Sequence, residues 1–172
     1  MTMLNDILQK TPEFYKGYIK LVEAETVVDG LFSQKKELLD FLSRLKEDQF
    51  VLRYSPEKWS IAEVIQHCID TERIMCYRAL CLARDEKQPL PGYDEDAYTE
   101  VCGADQRHPS ILKKEWELLR ETTLLLFESF DDVTLQKNGI IDGKNMGVDI
   151  LGAIISGHAT HHINVVKKRY LQ

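Results

Sequence analysis

The chain has 172 residues, of which 44% are hydrophobic and 29% are charged, and its formal net charge is −6 at pH 7. This length and composition are typical of one soluble globular domain with a substantial core, residues 1–172, and make two domains an unfavourable interpretation. The acidic balance excludes a non-specific binder of nucleic acid or of anionic membranes, because both need a basic face. The short run Lys167-Lys168-Arg169 is better explained by cations at the C-terminal end of a helix.

The segment Met1 to Lys10 lacks the apolar stretch of a secretory signal peptide, and no apolar run approaches the length of a membrane span. The cysteines form no C-x-x-C pair, and reduced, partly buried thiols are their simplest interpretation. We therefore expect a cytoplasmic protein without a disulfide framework. The cysteines are Cys68, Cys76, Cys81 and Cys102.

The first part of the chain, residues 1–24, is expected to form an extension that packs on the body of the protein. Its apolar residues are Phe14, Tyr15, Tyr18 and Ile19. The first long helix is predicted from about Val27 to Leu45, because apolar residues recur there at helical spacing. This apolar stripe comprises Val28, Leu31, Phe32, Leu38, Leu39, Leu42 and Leu45.

A second helix is predicted from Ser60 to about Arg84. It starts with the pattern of a capping box, in which the Ser60 hydroxyl accepts a hydrogen bond from the Glu63 amide while the Glu63 carboxylate reaches back. His67 falls near the inward-facing positions of this helix. The long polar connection that follows, residues 85–109, is either a lid over a site or a plain crossover between two parallel helices.

A third helix is predicted from Ser110 to about Phe130, and a fourth from Gly147 or Val148 to about Tyr170. Between them, turn dipeptides flank a short apolar pair, which indicates a small hairpin or an irregular excursion. Four amphipathic helices of roughly 20 residues without a convincing strand pattern predict an all-α four-helix bundle. The turn dipeptides are Asn138-Gly139 and Asp142-Gly143.

His158 and His162 lie on the apolar ridge of the fourth helix, at positions where the pattern calls for Leu or Ile. At 3.6 residues per turn the two imidazoles are about 40° apart around the axis and roughly 6 Å apart along it, which suits two ligands of one metal ion. Inward-facing histidines are costly unless their ring nitrogens are satisfied. The alternative to a metal ion is a pair of core histidines hydrogen-bonded to a neighbouring helix.

His67 of the second helix is the candidate for a third ligand, although an isolated helical histidine often has no special role. Three neutral imidazoles leave a tetrahedral ion one open position, which is the catalytic arrangement. We expect one divalent ion per chain, zinc by ligand type, with nickel, iron, copper or manganese as alternatives. Ala159 and Thr160 stand where a zinc protease needs its glutamate, which excludes that class.

Other residues near these histidines have two interpretations each. Asp70, one turn after His67, either orients a histidine ligand or is a solvated helix residue. His161 lies about 60° off the ridge and is either a neighbour of the ligands or a surface residue. Gly157 indicates a close approach by another helix, room beside a metal, or chance.

Glu72 projects away from His67, and we expect it to pair with Arg73 or Arg78.

Several of these segments resemble motifs of one family, the DinB/YfiT-like superfamily. Trp59 to His67, continued by Asp70-Thr71-Glu72-Arg73, resembles the family's second-helix signature. Gly157 to His162 resembles its last-helix motif, and the loop Pro89 to Asp94 resembles a subgroup. The resemblance covers most of the chain after about Val27, and the order and separation of the motifs make it fairly specific.

The resemblance implies an up-down-down-up four-helix bundle, usually a homodimer, with a divalent metal on three histidines. These correspond to His67, His158 and His162, which the helical spacing selects independently. Where activities are known in this superfamily, several members are metal-dependent transferases or isomerases that use low-molecular-weight thiols.

We therefore expect a metal-dependent enzyme that activates a small thiol such as bacillithiol, mycothiol or glutathione for transfer, with Asp70 or His161 orienting a ligand or moving a proton. One alternative is a hydrolase that uses metal-bound hydroxide, with a general base from the acidic loop Asp94 to Asp96. The other alternative is a metal-binding stress or binding module without turnover.

Overall fold

The computed structural model describes residues 3–172, and Met1 and Thr2 lie outside the described residues. Four long helices of 18 to 23 residues form a bundle, which confirms the predicted all-α architecture. The helices are α1 Leu4–Lys10, α2 Glu13–Ile19, α3 Val27–Arg44, α4 Ile61–Ala83, α5 Glu95–Val101, α6 Pro109–Glu128, α7 Asp132–Leu135 and α8 Val148–Arg169, and the strands are β1 Asn138–Ile141 and β2 Lys144–Gly147.

Contacts between the long helices determine their relative directions. The residue numbers of contacting residues rise together along α3 with α8 and along α4 with α6, so each of these pairs is parallel. Along α3 with α6 the numbers run in opposite directions. The order is therefore up, down, down, up, as predicted. The contacts are Gly30–Ser156 and Glu37–Thr160, Arg73–Glu115 and Cys76–Thr123, and Lys35–Glu121 and Leu45–Lys113.

The parallel pair α4 and α6 explains the long connection between them, because the chain must return along the length of the bundle. This connection, residues 84–108, is less irregular than the sequence indicates. It contains α5 and a short 3-10 turn at Ala104–Gln106. Its backbone is also tied to the hairpin, since the Leu90 amide donates a hydrogen bond to the Ile140 carbonyl.

The predicted excursion before α8 is a hairpin in which β1 pairs antiparallel with β2. Asp142 and Gly143 have φ of 49° and 70°, the left-handed conformations that a tight hairpin turn requires, so the Asp142-Gly143 turn is confirmed. The turn predicted at Asn138-Gly139 is wrong, because both residues lie inside β1. A Cβ on Gly139 would be 2.6 Å from a methyl group of Leu82, so this glycine permits close packing of the strand on α4.

The N-terminal extension packs on α8, because both α1 and α2 contact that helix. Ile19 is buried there, whereas Phe14 is exposed. Phe32 is also exposed, although the apolar stripe included it. It lies one position after the buried Leu31, about 100° further around α3, and faces solvent.

Within residues 3–172, no helix has both the length and the apolar character needed to cross a membrane.

Candidate metal centre

The start of α4 is fixed in position by its capping box. The Ser60 hydroxyl accepts from the Glu63 amide at 3.1 Å, and the Glu63 carboxylate accepts from the Ser60 amide at 2.8 Å, as predicted. The Ser60 hydroxyl also donates to Asp105 of the crossover connection. His67 follows less than two turns later and is 8% exposed.

The structure brings the three predicted ligand residues together. The Nε2 atoms of His67 and His158 are 3.0 Å apart, and those of His158 and His162 are 3.1 Å apart. One ring nitrogen from each residue lies within 4.8 Å of the other two. His158 is 7% exposed and His162 is half-buried, so the cluster lies at the base of a cavity rather than on the surface.

This nitrogen cluster fits a metal ion. Zinc–nitrogen bonds of about 2.0–2.1 Å in a tetrahedron separate two ligand nitrogens by about 3.3 Å, close to the two distances from the His158 Nε2. Hydrogen bonds alone satisfy the cluster poorly. The His158 Nε2 faces two other nitrogens, while a neutral ring nitrogen offers either one hydrogen or one lone pair. Three imidazoles suit zinc and other borderline transition metals.

Burial keeps the three imidazoles neutral in the metal-free protein. It lowers the pKa of His67 to about 4 and that of His162 to about 3, with the neighbouring imidazoles as a smaller cause. It also lowers the pKa of His158 well below the ordinary value. Metal binding at neutral pH therefore needs no loss of a proton from these residues.

Gly157 allows α2 to pass directly over α8 beside the histidines. A Cβ on Gly157 would lie 2.0 Å from the Tyr18 carbonyl oxygen, so this position requires glycine. The Tyr18 ring then packs against His158 and His161, with ring centroids 5.3 Å and 5.4 Å away. Of the explanations that the sequence leaves open for Gly157, the structure supports close approach by another helix.

The three histidines line a cavity of about 450 Å³, a size typical of small-molecule sites. Much of its wall is aromatic, and the Trp59 ring lies 4.9 Å from that of His67. The crossover connection and the hairpin turn complete the wall with Tyr93 and Asp142 among their residues. The aromatic residues are Phe14, Tyr15, Tyr18, Trp59 and Tyr93.

Asp70 and Asp94 are not brought into this cluster. Asp70 accepts a hydrogen bond from Gln66 and lines a separate surface cleft, so it orients no histidine. Asp94 is the N-cap of α5 and accepts from the Ala97 amide. The two carboxylates that follow it in the sequence, Glu95 and Asp96, line the cavity instead.

His161 is half-buried at the edge of the site. Its ring centroid lies 5.0 Å from that of His162, and it lines a neighbouring cleft together with Asp96. Burial lowers its pKa. This position agrees with the interpretation of His161 as a neighbour of the ligands.

The pairing expected for Glu72 is wrong. Glu72 faces α6, where it binds the buried Arg120 through two hydrogen bonds of 2.8 Å and also accepts from Trp116 and Thr123. Arg73 pairs with Glu115 instead. In the sequence, Trp116, Arg120 and Thr123 recur at helical spacing along α6. Their polar groups lie on the face that receives Glu72, and the apolar stripe alone did not indicate this.

Comparisons with known proteins agree with this architecture. Among solved structures, YfiT from Bacillus subtilis, described as a probable metal-dependent hydrolase with an unusual four-helix bundle topology, aligns with a TM-score of 0.71 and 16% identity over 92% of this chain and 86% of that chain. A mycothiol-dependent maleylpyruvate isomerase aligns with a TM-score of 0.68 and 14% identity, over 95% of this chain and 62% of that chain. These likenesses show a shared fold. No curated protein matches the sequence.

A family profile matches the sequence itself. Residues 33–166 match the profile described as the DinB superfamily. This range covers most of the chain and contains α4 and all but the last three residues of α8, the helices from which the three clustered histidines come. The chain therefore belongs to the DinB superfamily.

Proposed function

We propose that the protein is an enzyme that binds one divalent ion, zinc by preference, on His67, His158 and His162 and activates a low-molecular-weight thiol for transfer to an electrophile. The observation that carries the proposal is the convergence of three imidazole nitrogens, two of them from buried residues, on one point in the wall of a 450 Å³ cavity. Three protein ligands facing a cavity leave a position for a substrate atom, as in catalytic and not structural sites.

The bound ion would lower the pKa of a coordinating thiol and so supply the nucleophile. The residues of the chain provide the surroundings. Trp59 and Tyr18 place aromatic rings beside His67 and His158. The Tyr93 hydroxyl is held by a hydrogen bond of 2.7 Å with Thr71. Asp96 of α5 lines the cavity and its neighbouring cleft, and we assign it the role of accepting the thiol proton.

The comparisons support two activities. The similar maleylpyruvate isomerase is mycothiol-dependent, which favours thiol chemistry. YfiT is described as a probable metal-dependent hydrolase, which favours the second candidate, hydrolysis by metal-activated water. The carboxylates of Glu95 and Asp96 in the cavity wall provide a general base for that reaction as well.

Metal content of the purified protein is the first test. We expect about one ion per chain in the wild type and none in His158→Ala, because that variant loses the central nitrogen of the cluster. His108→Ala is the matched control, since His108 is exposed at the start of α6 and its loss leaves the metal in place. Full metal occupancy in His158→Ala would contradict the proposed site.

Cobalt substitution then separates the two activities. Addition of glutathione or another small thiol to the cobalt protein is expected to produce a thiolate-to-cobalt charge-transfer band that His158→Ala lacks. A cobalt protein that gives no such band, and that hydrolyses nitrophenyl esters only while His158 is present, would favour the hydrolase instead.

We also propose a cytoplasmic homodimer. Its support is an apolar stripe on the outer face of α6, where three exposed side chains recur every seven residues. We expect Leu118→Lys to shift the mass measured by light scattering from a dimer to a monomer. A monomeric wild type would contradict this part of the proposal. The stripe consists of Ile111, Leu118 and Leu125.

A further inference from the structure

Arg78 is a buried cation in the wall of the cavity. Its side chain is among the buried polar residues, at 5% exposure. One nitrogen donates to the Pro91 carbonyl oxygen at 2.7 Å, another lies 3.8 Å from the Met75 sulfur, and the guanidinium lies 5.5 Å from the Tyr93 ring centroid. Within residues 3–172, Arg78 takes part in no ion pair. The carboxylate of Asp142 lies near enough for Arg78 to help lower its pKa, but its ion-pair partner and the larger cause of that lowering is Lys144.

A buried guanidinium without a counter-charge is unusual in a folded protein. Arginine has five N–H donors and stays charged, and its burial is costly unless an anion or several acceptors compensate. Elsewhere in this protein the rule is followed, because the buried Arg120 is paired with Glu72. The carbonyl of Pro91 and the sulfur of Met75 leave most of the donors of Arg78 unused.

Arg78 and His67 lie on the same face of α4. Eleven residues separate them, which corresponds to about 20° around the helix axis and about 16 Å along it. Thr71 and Met75 fall between them on that face, and all four residues line the same cavity. The cavity therefore extends along α4 from the three histidines to the guanidinium.

The charged residues of the cavity differ between its two ends. Asp96 also lines the cleft that contains His161 and His162, so this carboxylate lies at the histidine end. At the other end, Asp142 is neutralised by Lys144 at 2.7 Å. Of the two cations that line the cavity, Lys144 and Arg78, only Arg78 has no ion-pair partner among the described residues, while Glu95 also lines the cavity and acts on the neighbouring Tyr93.

We infer that Arg78 binds a carboxylate group of an elongated small molecule whose reacting group lies at the three histidines. The role of the histidine end rests on the proposed function, whereas binding of a carboxylate at Arg78 does not. The carboxylate belongs either to the thiol or to the electrophile that accepts it. Bidentate hydrogen bonds from the planar guanidinium provide the recognition.

A series of ligands that differ in length and charge tests this inference on the cobalt-loaded protein. The probes are mercaptopropionate, mercaptohexanoate and mercaptoundecanoate, each compared with the mercaptoalcohol of the same length. The charge-transfer band measures their dissociation constants. In the wild type we expect a preference of about tenfold for the acid at the longer lengths, about 1.4 kcal/mol, and none for the shortest probe, which cannot reach Arg78.

Variants of α4 assign the preference to one side chain. Arg78→Met is expected to abolish it and Arg78→Lys to retain part of it. Arg84→Met is the matched control, because it removes the same charge from an exposed position near the same end of α4. Thermal unfolding checks that Arg78→Met is folded. Arg78→Gln, which keeps a donor for the Pro91 carbonyl, replaces it if it is not.

A metal-independent measurement separates this inference from the proposed function. Calorimetric titration of the metal-free protein is expected to show that hexanoate binds more tightly than hexanol in the wild type and not in Arg78→Met. Hexanoate binding without any cobalt–thiolate band would contradict the thiol function and support the carboxylate site. If hexanoate binds more tightly than hexanol but the mercaptoacids bind no more tightly than the mercaptoalcohols, the carboxylate belongs to the electrophile that accepts the thiol. Equal binding of acid and alcohol in both measurements, or an unchanged preference in Arg78→Met, would overturn the inference.

Discussion

Replacement of Gly157 by alanine tests how tightly α2 is packed over the metal centre. The added Cβ would lie 2.0 Å from the Tyr18 carbonyl oxygen and 2.5 Å from the carbonyl carbon. Both are backbone atoms, so no side-chain rotation relieves the clash and α2 must move. Overpacking costs about 1–3 kcal/mol, and a clash of 2.0 Å with backbone atoms belongs to the upper part of that range, about 2–3 kcal/mol, while the better helix propensity of alanine returns about 1 kcal/mol.

We therefore expect Gly157→Ala to lower the free energy of unfolding by about 1–2 kcal/mol. For a domain of this size, 1 kcal/mol corresponds to roughly 2–4 °C in the melting temperature, so a decrease of about 2–8 °C is expected. Because the Tyr18 ring packs on His158, the displaced α2 should also weaken zinc binding. Thermal unfolding of the metal-free protein and competition with a chromophoric chelator measure the two effects.

Gly17→Ala is the matched control on the opposing helix. Gly17 is exposed in α2, next to Tyr18 in the sequence, and a Cβ there meets no atom within 4 Å. The same chemical change should raise the melting temperature by up to about 2–4 °C, because only the helix propensity acts. Opposite signs for the two variants would support the close approach of α2 to α8. An unchanged or higher melting temperature in Gly157→Ala would refute the reasoning.

Three further predictions follow from the buried polar groups. The metal-free protein should lose stability as the pH falls from 6.5 towards 4, because the unfolded chain then takes up protons that His67 and His162 of the folded chain do not. The shift of His67 alone, to a pKa of about 4, corresponds to about 3 kcal/mol in the free energy of unfolding. A denaturation midpoint independent of pH would contradict this prediction. Saturating zinc should raise that midpoint at neutral pH, since it binds the folded form, and no increase would count against the site. Glu72→Gln should lower the free energy of unfolding measured by chemical denaturation by about 3–5 kcal/mol, because Arg120 stays buried without its counter-charge. Glu121→Gln, which removes an exposed ion pair, should lower it by less than about 1 kcal/mol. Equal losses in the two variants would contradict this distinction.

The bundle and the histidine cluster could be predicted from the sequence because both depend on helical periodicity. His158 and His162 occupy apolar positions one turn apart, and that spacing decides their common face whatever helix packs against it. His67 is selected in the same way on α4. The start of α4 could also be predicted, because the capping box of Ser60 and Glu63 is a pattern of neighbouring residues.

The partners of polar side chains could not be predicted, because they depend on which faces meet. Glu72 has two arginines nearby in the sequence of its own helix, yet it binds Arg120 because α4 turns that face towards α6. Asn138-Gly139 is a typical turn dipeptide, but Gly139 lies within a strand, where a glycine is needed because the backbone packs closely on Leu82. Asp94 is the first residue of the acidic run that was predicted to supply a general base, but it caps the start of α5 instead.

The parallel direction of α4 and α6 has a consequence for how such a protein can change. The histidines belong to two long helices of the bundle, whereas Tyr93, Glu95 and Asp96 belong to the segment that returns the chain along its outside. The three histidines and the part of the cavity wall formed by these residues are thus encoded in different stretches of sequence, whereas Arg78 shares α4 with His67. Replacement of residues 84–108 by a different return segment would reshape that part of the cavity while leaving the three histidines and most of the bundle core unaltered.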